Sequence, residues 1–350
     1  MLQLIENQLF DQMRGMVRHI TPVPPGDATG LVADVYAQMR SEFQLAPPFT
    51  LHSPAPSILA GVWSAVRESE IAKGHLPRVS KEAIAAAVSR ANECPYCVDA
   101  HTGLLQGASH RDAGRAIRNR HFDRIPDVST RALVQWASAT RRPDDPIVAS
   151  PPFAPDAAPE AIGTSLAFHY INRMVHVFLG DGLLPGPSGF RGAARHVFGA
   201  TFAKRIVQRG GSPGGSLGLL PVAPVPPDFA WAERSPSISA AWSRFVQVVE
   251  DGGERSVPGS VQKVVEHALT AWRGDDPGLV GSWLDQGVAP LDDEERPLGR
   301  LLLTTALASY RVNPDDVGSV RAEMGSDTAL IEATAWASLR AARRVGDWLQ

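Results

Sequence analysis

The sequence predicts an all-α protein with two similar helical halves, and three observations support this prediction. Apolar residues recur at helical spacing along much of the chain, whereas few stretches alternate apolar and polar residues and no Asn-Gly or Asp-Gly turn joins two of them. Alanine and leucine fill the helical segments, and proline and glycine collect between them. Short residue patterns of the first part also recur, in the same order, in the last part.

Composition places the chain among globular proteins. Its 350 residues are 44% apolar and 20% charged, which excludes wholesale disorder and allows two domains. The net charge of −3 supplies no long-range attraction for nucleic acid or for an anionic membrane. No apolar run approaches the roughly 18 residues that span a bilayer, and residues 1–6 lack the features of a signal peptide. We therefore expect a cytoplasmic protein with neither a nucleic-acid nor a membrane partner.

Three segments show helical spacing most clearly. Their apolar positions are Ile84, Ala87, Val88 and Ala91 in the first, Val261, Val264, Val265, Ala268 and Trp272 in the second, and Ala341, Val345, Trp348 and Leu349 in the third. Ser80 is a suitable N-cap for the first of these helices.

Two tracts rich in proline and glycine, residues 180–192 and 210–227, interrupt the middle of the chain around a short helical stretch at about 193–208. Proline and glycine do not sustain a helix, so this region is predicted to be a linker or a strap across the surface. The predicted division of the chain is an extension at 1–19, a first helical domain at 20–185, the linker at 186–228 and a second helical domain at 229–350.

The two domains are predicted to be divergent copies of one another. Three segments of the first part match three of the last part. Pro56-Ser57-Ile58, followed by Trp63-Ser64, matches Pro236-Ser237-Ile238, followed by Trp242-Ser243. Residues 131–145 match residues 300–316, and residues 171–179 match residues 341–349. Chance similarity between amphipathic helices is the alternative explanation.

Cys94 and Cys97 are the only cysteines of the chain. They are too close in sequence to connect distant parts of a fold, so a structural disulfide framework is excluded. In a reducing compartment such a pair is a redox centre, part of a metal site, or a coincidence.

The residues around the pair favour thiol chemistry. Pro95 suits the first position of a helix, which makes Cys94 the N-cap, where unpaired backbone N–H groups favour a thiolate. His101 lies on the same helical face as both cysteines, and Glu82 on the preceding helix is the nearest carboxylate that could orient it. A thiolate attacks peroxides or disulfides, an imidazole moves the proton, and a second thiol captures the sulfenic acid.

Other interpretations of the same residues remain open at this point. Zinc could bind Cys94, Cys97, His101 and one further ligand, although no second cysteine pair completes a structural site. Glu82 could simply be an acidic residue in the first turn of a helix, and His101 a core histidine.

The spacing of these residues resembles the signature of the AhpD-like alkylhydroperoxidases in the carboxymuconolactone decarboxylase superfamily. Glu82 stands twelve positions before Cys94 and is followed by Cys-x-x-Cys-x-x-x-His. A weaker similarity extends through residues 168–180. One departure is Pro95-Tyr96, where well-studied members can carry a histidine between the cysteines.

The resemblance implies an all-α bundle that assembles as a homo-oligomer and acts on a hydroperoxide without a cofactor or metal. It assigns the peroxidatic role to Cys97 and the resolving role to Cys94, with Glu82 acting through His101 as a proton relay. A dithiol reductant or carrier protein would regenerate the pair. A disulfide-exchange protein without peroxidase activity, and an acid–base decarboxylase or isomerase, are the alternative functions.

The second half lacks the motif. Gln262, Gly274, Pro277 and Gly281 stand where Glu82, Cys94, Cys97 and His101 would be, so we expect a degenerate copy. Two further polar residues of the first half, His169 and Asn172, share one helix, and helix packing is favoured for them over a place beside the thiols.

Overall fold

The computed structural model describes residues 15–180, 206–278 and 282–350. Within these ranges the chain is helical, and the only β-type pairing is an isolated antiparallel bridge between Val17 and Leu179. The predicted all-α class is therefore confirmed. The helical stretch predicted at about 193–208 lies mostly outside the described residues, which include only its end.

Fourteen α-helices are described, eight before the linker and six after it. The first eight are α1 (Gly30–Glu42), α2 (Pro47–Thr50), α3 (Pro56–Val66), α4 (Arg78–Ala91), α5 (Pro95–Gly107), α6 (Arg111–Arg118), α7 (Val128–Ala139) and α8 (Ala158–Phe178). The remaining six are α9 (Pro236–Ser256), α10 (Gly259–Ala271), α11 (Ser282–Val288), α12 (Arg296–Ala308), α13 (Pro314–Met324) and α14 (Asp327–Gly346). A π-helical turn, Arg67–Ile71, continues α3, and a 3-10 turn, Ser309–Arg311, continues α12.

Helix α4 is the centre of the first half. It packs against α5, α7 and α8, and all nine residues from Lys81 to Ser89 are buried. Its alanines allow this close packing on several sides, because a small side chain keeps the neighbouring helix axes close. Two charged side chains, Lys81 and Glu82, are buried with it, and each has ionic partners: Lys81 Nζ lies 3.1 Å from an oxygen of Glu160.

The turn between α4 and α5 positions the cysteine motif. Cys94 is the N-cap of α5 and Pro95 is its first residue, as the sequence predicts. The predicted N-cap of α4 is wrong: the helix begins at Arg78 with Pro77 as its N-cap, and Ser80 lies inside the first turn. Pro77 suits this place because its carbonyl accepts the backbone N–H of Ser80 at 2.9 Å and proline has no N–H to leave unpaired.

The two halves pack through helices that the sequence patterns pair with one another. Helix α3 packs on α9, and α8 packs on α14. Trp242 of α9 donates its indole N–H to Ser69 at 2.9 Å, and the rings of Tyr170 and Phe245 meet edge to face. A single apolar core runs through both halves. Contacts between matching elements are typical of a two-fold association, and the division into two copies stays a prediction.

The second proline- and glycine-rich tract crosses α3 where α3 runs into the π-turn. The carboxylate of Glu68 accepts the backbone N–H of Gly214 at 2.7 Å and that of Ser216 at 3.2 Å. Arg67 donates to the carbonyl of Ser212 at 3.0 Å. These buried ionic groups hold residues 212–216 as a strap. Among the described helices, none combines the length and the hydropathy needed to cross a membrane.

The close approach of α3 to α9 generates a stability prediction. A Cβ at Gly61 would lie 2.7 Å from a ring carbon of Phe245 and 3.2 Å from its Cα. Gly61→Ala should therefore lower the free energy of unfolding by about 1–3 kcal/mol, although alanine is the better helix former. Urea unfolding measures the change.

Gly103→Ala is the matched control, because Gly103 lies inside α5 and a Cβ added there would have no neighbouring atom within 4 Å. That variant should gain about 0.5–1 kcal/mol from helix propensity. Equal gains in both variants would contradict the close packing of α3 on α9.

Candidate active site

Glu82 and His101, which the sequence predicts to act together, form a buried pair between α4 and α5. Glu82 Oε2 lies 2.6 Å from His101 Nδ1, and Arg78 Nε donates to Oε1 of Glu82 at 2.8 Å. Burial raises the pKa of Glu82, but the charge of Arg78 and the bond to His101 lower it below its usual value. Burial lowers the pKa of His101, and Glu82 more than reverses this effect. Each group of the pair therefore favours the charged form of the other.

A third ionisable group, Glu70, adjoins this pair. It lies on the π-turn after α3, buried, with Oε1 at 3.8 Å from His101 Nδ1. That oxygen has no hydrogen-bond partner among the described residues. Burial and the charge of Glu82 raise the pKa of Glu70 to about 7. Sequence analysis missed Glu70, because its only sign is an acidic residue near the end of an apolar helix.

These three residues are also the set that could hold a metal ion. One ligand atom from each of Glu70, Glu82 and His101 lies within 4.8 Å of the others. No cysteine belongs to this set, so among the described residues the geometry does not gather the zinc ligands Cys94, Cys97 and His101 considered from the sequence. The ring of Phe168 packs edge-on against His101 at 4.4 Å between centroids and shields it from water.

The two cysteines are free thiols in contact with each other, and both are buried. Burial raises the pKa of Cys94, but hydrogen bonds from Cys97 and His176 and the charge of His176 lower it to about 5. Burial raises the pKa of Cys97 well above its usual value, and the neighbouring Cys94 thiolate raises it further. In the reduced protein the pair is thus one thiolate, on Cys94, that accepts a hydrogen bond from the Cys97 thiol.

Cys97 faces a polar network from α4 and α8. Asn172 and Ser89 are hydrogen-bonded to the Cys97 sulfur, which lowers its pKa against the larger effect of burial. The Asn172 amide also donates to Ser89 Oγ at 3.0 Å and accepts from Asn92 at 2.9 Å. Asn172, for which the sequence favoured a packing role, therefore lies beside a thiol.

His169 is held further from the thiols. Its Nδ1 lies 3.1 Å from the Asn92 amide nitrogen and its Nε2 lies 2.9 Å from Thr140 Oγ1. Burial and the charges of Arg173 and Arg141 hold its pKa well below the usual value. A neutral histidine with both ring nitrogens hydrogen-bonded fixes the helices and reaches the cysteine pair only through Asn92 and Asn172.

His176, in the last turn of α8, completes the surroundings of Cys94. Its Nε2 lies 3.1 Å from the carbonyl oxygen of Glu93, the residue before Cys94. The sequence contained a sign that was missed: His176 follows Asn172 by four residues, so both lie on the same face of α8.

A cleft opens to solvent beside the N-cap of α5. Its volume is about 470 Å³, and its lining residues are Glu93, Pro95, His176, Asp276 and Tyr310. Glu93 has φ 56°, a left-handed conformation that costs a residue with a side chain of order 1–3 kcal/mol. Its side chain pairs with Arg120 and Arg90, and its backbone carries the carbonyl that meets His176. The cleft therefore adjoins the start of α5 through Glu93 and Pro95, the two neighbours of Cys94, while both cysteines are buried beside it.

The arrangement supplies the elements of thiol redox chemistry. It holds a thiolate and a thiol in contact, with an imidazole–carboxylate pair one helical turn, about 6 Å along α5, from Cys97. A cleft open to solvent lies beside the residues that flank Cys94.

Comparisons with known proteins agree with this geometry. A model of the carboxymuconolactone decarboxylase family matches residues 59–124, which include Glu70, Glu82, both cysteines and His101. A protein of Mycobacterium tuberculosis named alkyl hydroperoxide reductase Rv2159c is 36% identical over 334 residues, 95% of this chain and 95% of that protein. Similarity at this level and over this length goes well beyond the motif itself. The chain belongs to the carboxymuconolactone decarboxylase family, in its AhpD-like group.

Proposed function

We propose that the protein is a cysteine-based peroxidase that reduces hydroperoxides through the Cys94–Cys97 pair, with Glu82 and His101 as the proton relay. The observation that carries this proposal is the polarised thiol pair beside a buried imidazole–carboxylate pair. The name of the mycobacterial relative, an alkyl hydroperoxide reductase, supports the same activity.

The first step oxidises Cys97 and reduces the peroxide. Sulfur attacks the peroxide, an S–O bond forms and the O–O bond breaks, and the alkoxide takes a proton to leave as the alcohol. His101 is the acid and base of this step and lies one helical turn from Cys97. Its neutral imidazole takes the Cys97 proton, and the resulting imidazolium, which Glu82 favours by raising the pKa of His101, gives that proton to the leaving alkoxide. Cys97 has the higher pKa of the two thiols, so its proton must be removed during the reaction.

The second step uses the Cys94 thiolate. It attacks the sulfur of the Cys97 sulfenic acid, the S–S bond forms, and hydroxide leaves and is protonated to water. The low pKa of Cys94 keeps this nucleophile ready at neutral pH. A dithiol reductant or carrier protein then returns both cysteines to thiols. A homo-oligomer and a cytoplasmic location stay predictions from the sequence.

A disulfide-exchange protein without peroxidase activity is the second candidate. The observation that favours it is that the cleft is lined by Glu93 and Pro95, the neighbours of Cys94, whose pKa of about 5 suits disulfide exchange. An acid–base lyase is the third, since Glu70 is a buried carboxyl whose pKa of about 7 suits proton transfer. Turnover that survives alkylation of both thiols would identify the lyase.

The peroxidatic assignment is tested on the reduced protein with one equivalent of an organic hydroperoxide. Wild type should lose two hydrogens, about 2 Da, as the disulfide forms. Cys97→Ser should react at least 100-fold more slowly, because it lacks the attacking sulfur. Cys94→Ser should still react and stop as the sulfenic acid on Cys97, which dimedone traps. Intact-protein mass spectrometry follows all three.

Two outcomes would contradict this assignment. A sulfenic acid trapped on Cys94 in Cys97→Ser, at the wild-type rate, would exchange the roles of the two cysteines. Wild type that stays reduced under peroxide, yet exchanges disulfides with a small dithiol, would establish the second candidate instead.

The proton relay predicts a change of pH dependence. Glu82→Gln removes the group that raises the pKa of His101, so the pH at which His101 titrates, followed by NMR of its ring protons, should fall. The rate of peroxide reduction should fall by about 100-fold at neutral pH. Glu323→Gln, at an exposed position, is the control and should alter neither. An unchanged His101 titration together with an unchanged rate would remove Glu82 from the relay.

The same pair also predicts the pH dependence of stability. The pKa of His101 is raised in the folded protein, so its contribution is complete below about 6.5 and is lost as pH rises through the folded pKa. The pKa of Glu82 is lowered, so its contribution is complete above its usual pKa and is lost as pH falls through the folded value. Urea unfolding from pH 4 to 9, compared with Glu82→Gln, should therefore show the largest difference in the window between these two transitions.

A further inference from the structure

The second half of the chain reaches the cysteine pair through residues that the proposed mechanism does not use. Tyr310, in the turn after α12, and Asp276, in the segment after α10, form one wall of the cleft beside Pro95. Ser309 precedes Tyr310, is buried, and points its hydroxyl at His176, with Oγ at 2.8 Å from Nδ1.

Both ring nitrogens of His176 have polar neighbours, and the ring is also hydrogen-bonded to the Cys94 sulfur. Nε2 lies 3.1 Å from the Glu93 carbonyl oxygen, and Nδ1 lies 2.8 Å from the Ser309 hydroxyl oxygen. A hydroxyl serves either protonation state, since it donates to the neutral ring and accepts from the imidazolium. The ring is therefore fixed in orientation beside Cys94 whether or not it carries a charge.

The wall from the second half is itself held in place by the first half. Arg141 donates to the carbonyl of Gly274 at 3.0 Å and pairs with Asp276 at 3.0 Å. Gly274 has φ 88°, and a Cβ there would lie 1.5 Å from the carbonyl oxygen of Arg141, so only glycine fits. Gly274 stands where the predicted alignment places the counterpart of Cys94. Its close contact with Arg141 fixes this wall against the residues that follow α7.

We propose that the second half completes the active site: His176 is a further catalytic residue that stabilises the Cys94 sulfur as a thiolate, and Ser309, from the second half, is its positioning residue. The effect of His176 and Ser309 on turnover rests on the proposed function. Their effect on the ionisation of Cys94 does not, because that ionisation can be measured without any peroxide.

The step in which His176 acts is the reduction of the Cys94–Cys97 disulfide. A thiolate of the dithiol reductant attacks the Cys94 sulfur, the S–S bond breaks, and Cys97 leaves and is protonated. The second thiol of the reductant then attacks the mixed disulfide at the reductant's own sulfur, and Cys94 leaves as a thiolate while the reductant becomes a disulfide. A lower leaving-group pKa makes this departure faster, so His176 assists the release of the reductant.

The ionisation of Cys94 supports the assignment. Burial alone raises the pKa of this thiol, and the hydrogen bond and charge of His176 are among the effects that lower it. The titratable and charged groups around the cleft are Cys97 on α5, His176 on α8, Tyr310 in the turn after α12, Glu93 with Arg90 and Arg120, and Asp276 with Arg141. The carboxylates Glu93 and Asp276 each have an arginine partner, so His176 is the group in contact with Cys94 that can supply a positive charge to the thiolate.

The test is the pH dependence of Cys94 alkylation in the full chain. Reduced protein is treated with iodoacetamide from pH 4 to 9, and peptide mass spectrometry reports the rate at Cys94. His176→Gln keeps a side chain that can form hydrogen bonds but carries no charge. It should raise the midpoint of the Cys94 alkylation profile by about one pH unit, so that below the midpoint the thiolate fraction is tenfold smaller. Ser309→Ala should shift the midpoint in the same direction by less, and Ser309→Thr should restore it.

A second readout is the reduction potential of the pair in dithiothreitol buffers. Loss of thiolate stabilisation makes the disulfide less oxidising, and a tenfold change in the equilibrium constant corresponds to about 30 mV. His267→Gln and Ser319→Ala replace exposed residues of the second half and should change neither readout. Circular dichroism confirms that each variant is folded.

Midpoints and potentials equal to wild type in folded His176→Gln would overturn the catalytic assignment. A shifted midpoint in His176→Gln with none in Ser309→Ala would overturn the contribution of the second half. If wild type fails to react with peroxide while both shifts are observed, the peroxidase proposal fails and this inference stands.

Discussion

A buried negative charge at Glu82 determines the arrangement of the first half. An isolated carboxylate inside a protein is so costly that it must acquire partners or lose its charge. Arg78, one turn earlier on α4, supplies one partner, and His101 on α5 supplies the other. Since His101 has to lie opposite Glu82, the register of α5 along α4 is set, and this register places Cys97 at Asn172 and Cys94 at the end of α8.

The same register gives two chemically equal thiols different properties. Cys94 lies at the positive end of α5 beside His176, so it holds the charge, whereas Cys97 lies inside and keeps its proton. The inner thiol is enclosed by neutral amide and hydroxyl groups that can turn to follow a change of sulfur oxidation state. Cys94 is hydrogen-bonded to His176, and its neighbours Glu93 and Pro95 line the cleft. Under the proposed function, reduction of the peroxide at Cys97 and exchange with the reductant at Cys94 are thus divided between the two sulfurs of the pair.

Much of this could be predicted from the sequence because the determinants are local. The spacing of apolar residues predicted the helices, Pro95 predicted the start of α5 with Cys94 as its cap, and the intervals between Glu82 and His101 predicted their contact. The position of His176, four residues after Asn172, indicated only that the two share a face of α8. Glu70 and Ser309 could not be predicted in the same way, since they reach the site from a π-turn and from the second half. Their positions depend on how the halves pack, and no interval along the chain records that packing. Ser80 was wrongly predicted as the N-cap because Pro77, three residues earlier, takes that position.

The tight contact at Gly274 has an evolutionary consequence. On the predicted alignment of the two halves, Gly274 stands where Cys94 does. A cysteine at Gly274 would place its side chain on the Arg141 carbonyl and displace the wall that borders the cleft. Any mutational route that rebuilt a thiol site in the second half would therefore first damage the one that exists. If the two halves arose by duplication, loss of the motif from the second half is therefore difficult to reverse. Selection then acts on the second half for its structural support of the cysteine site in the first half.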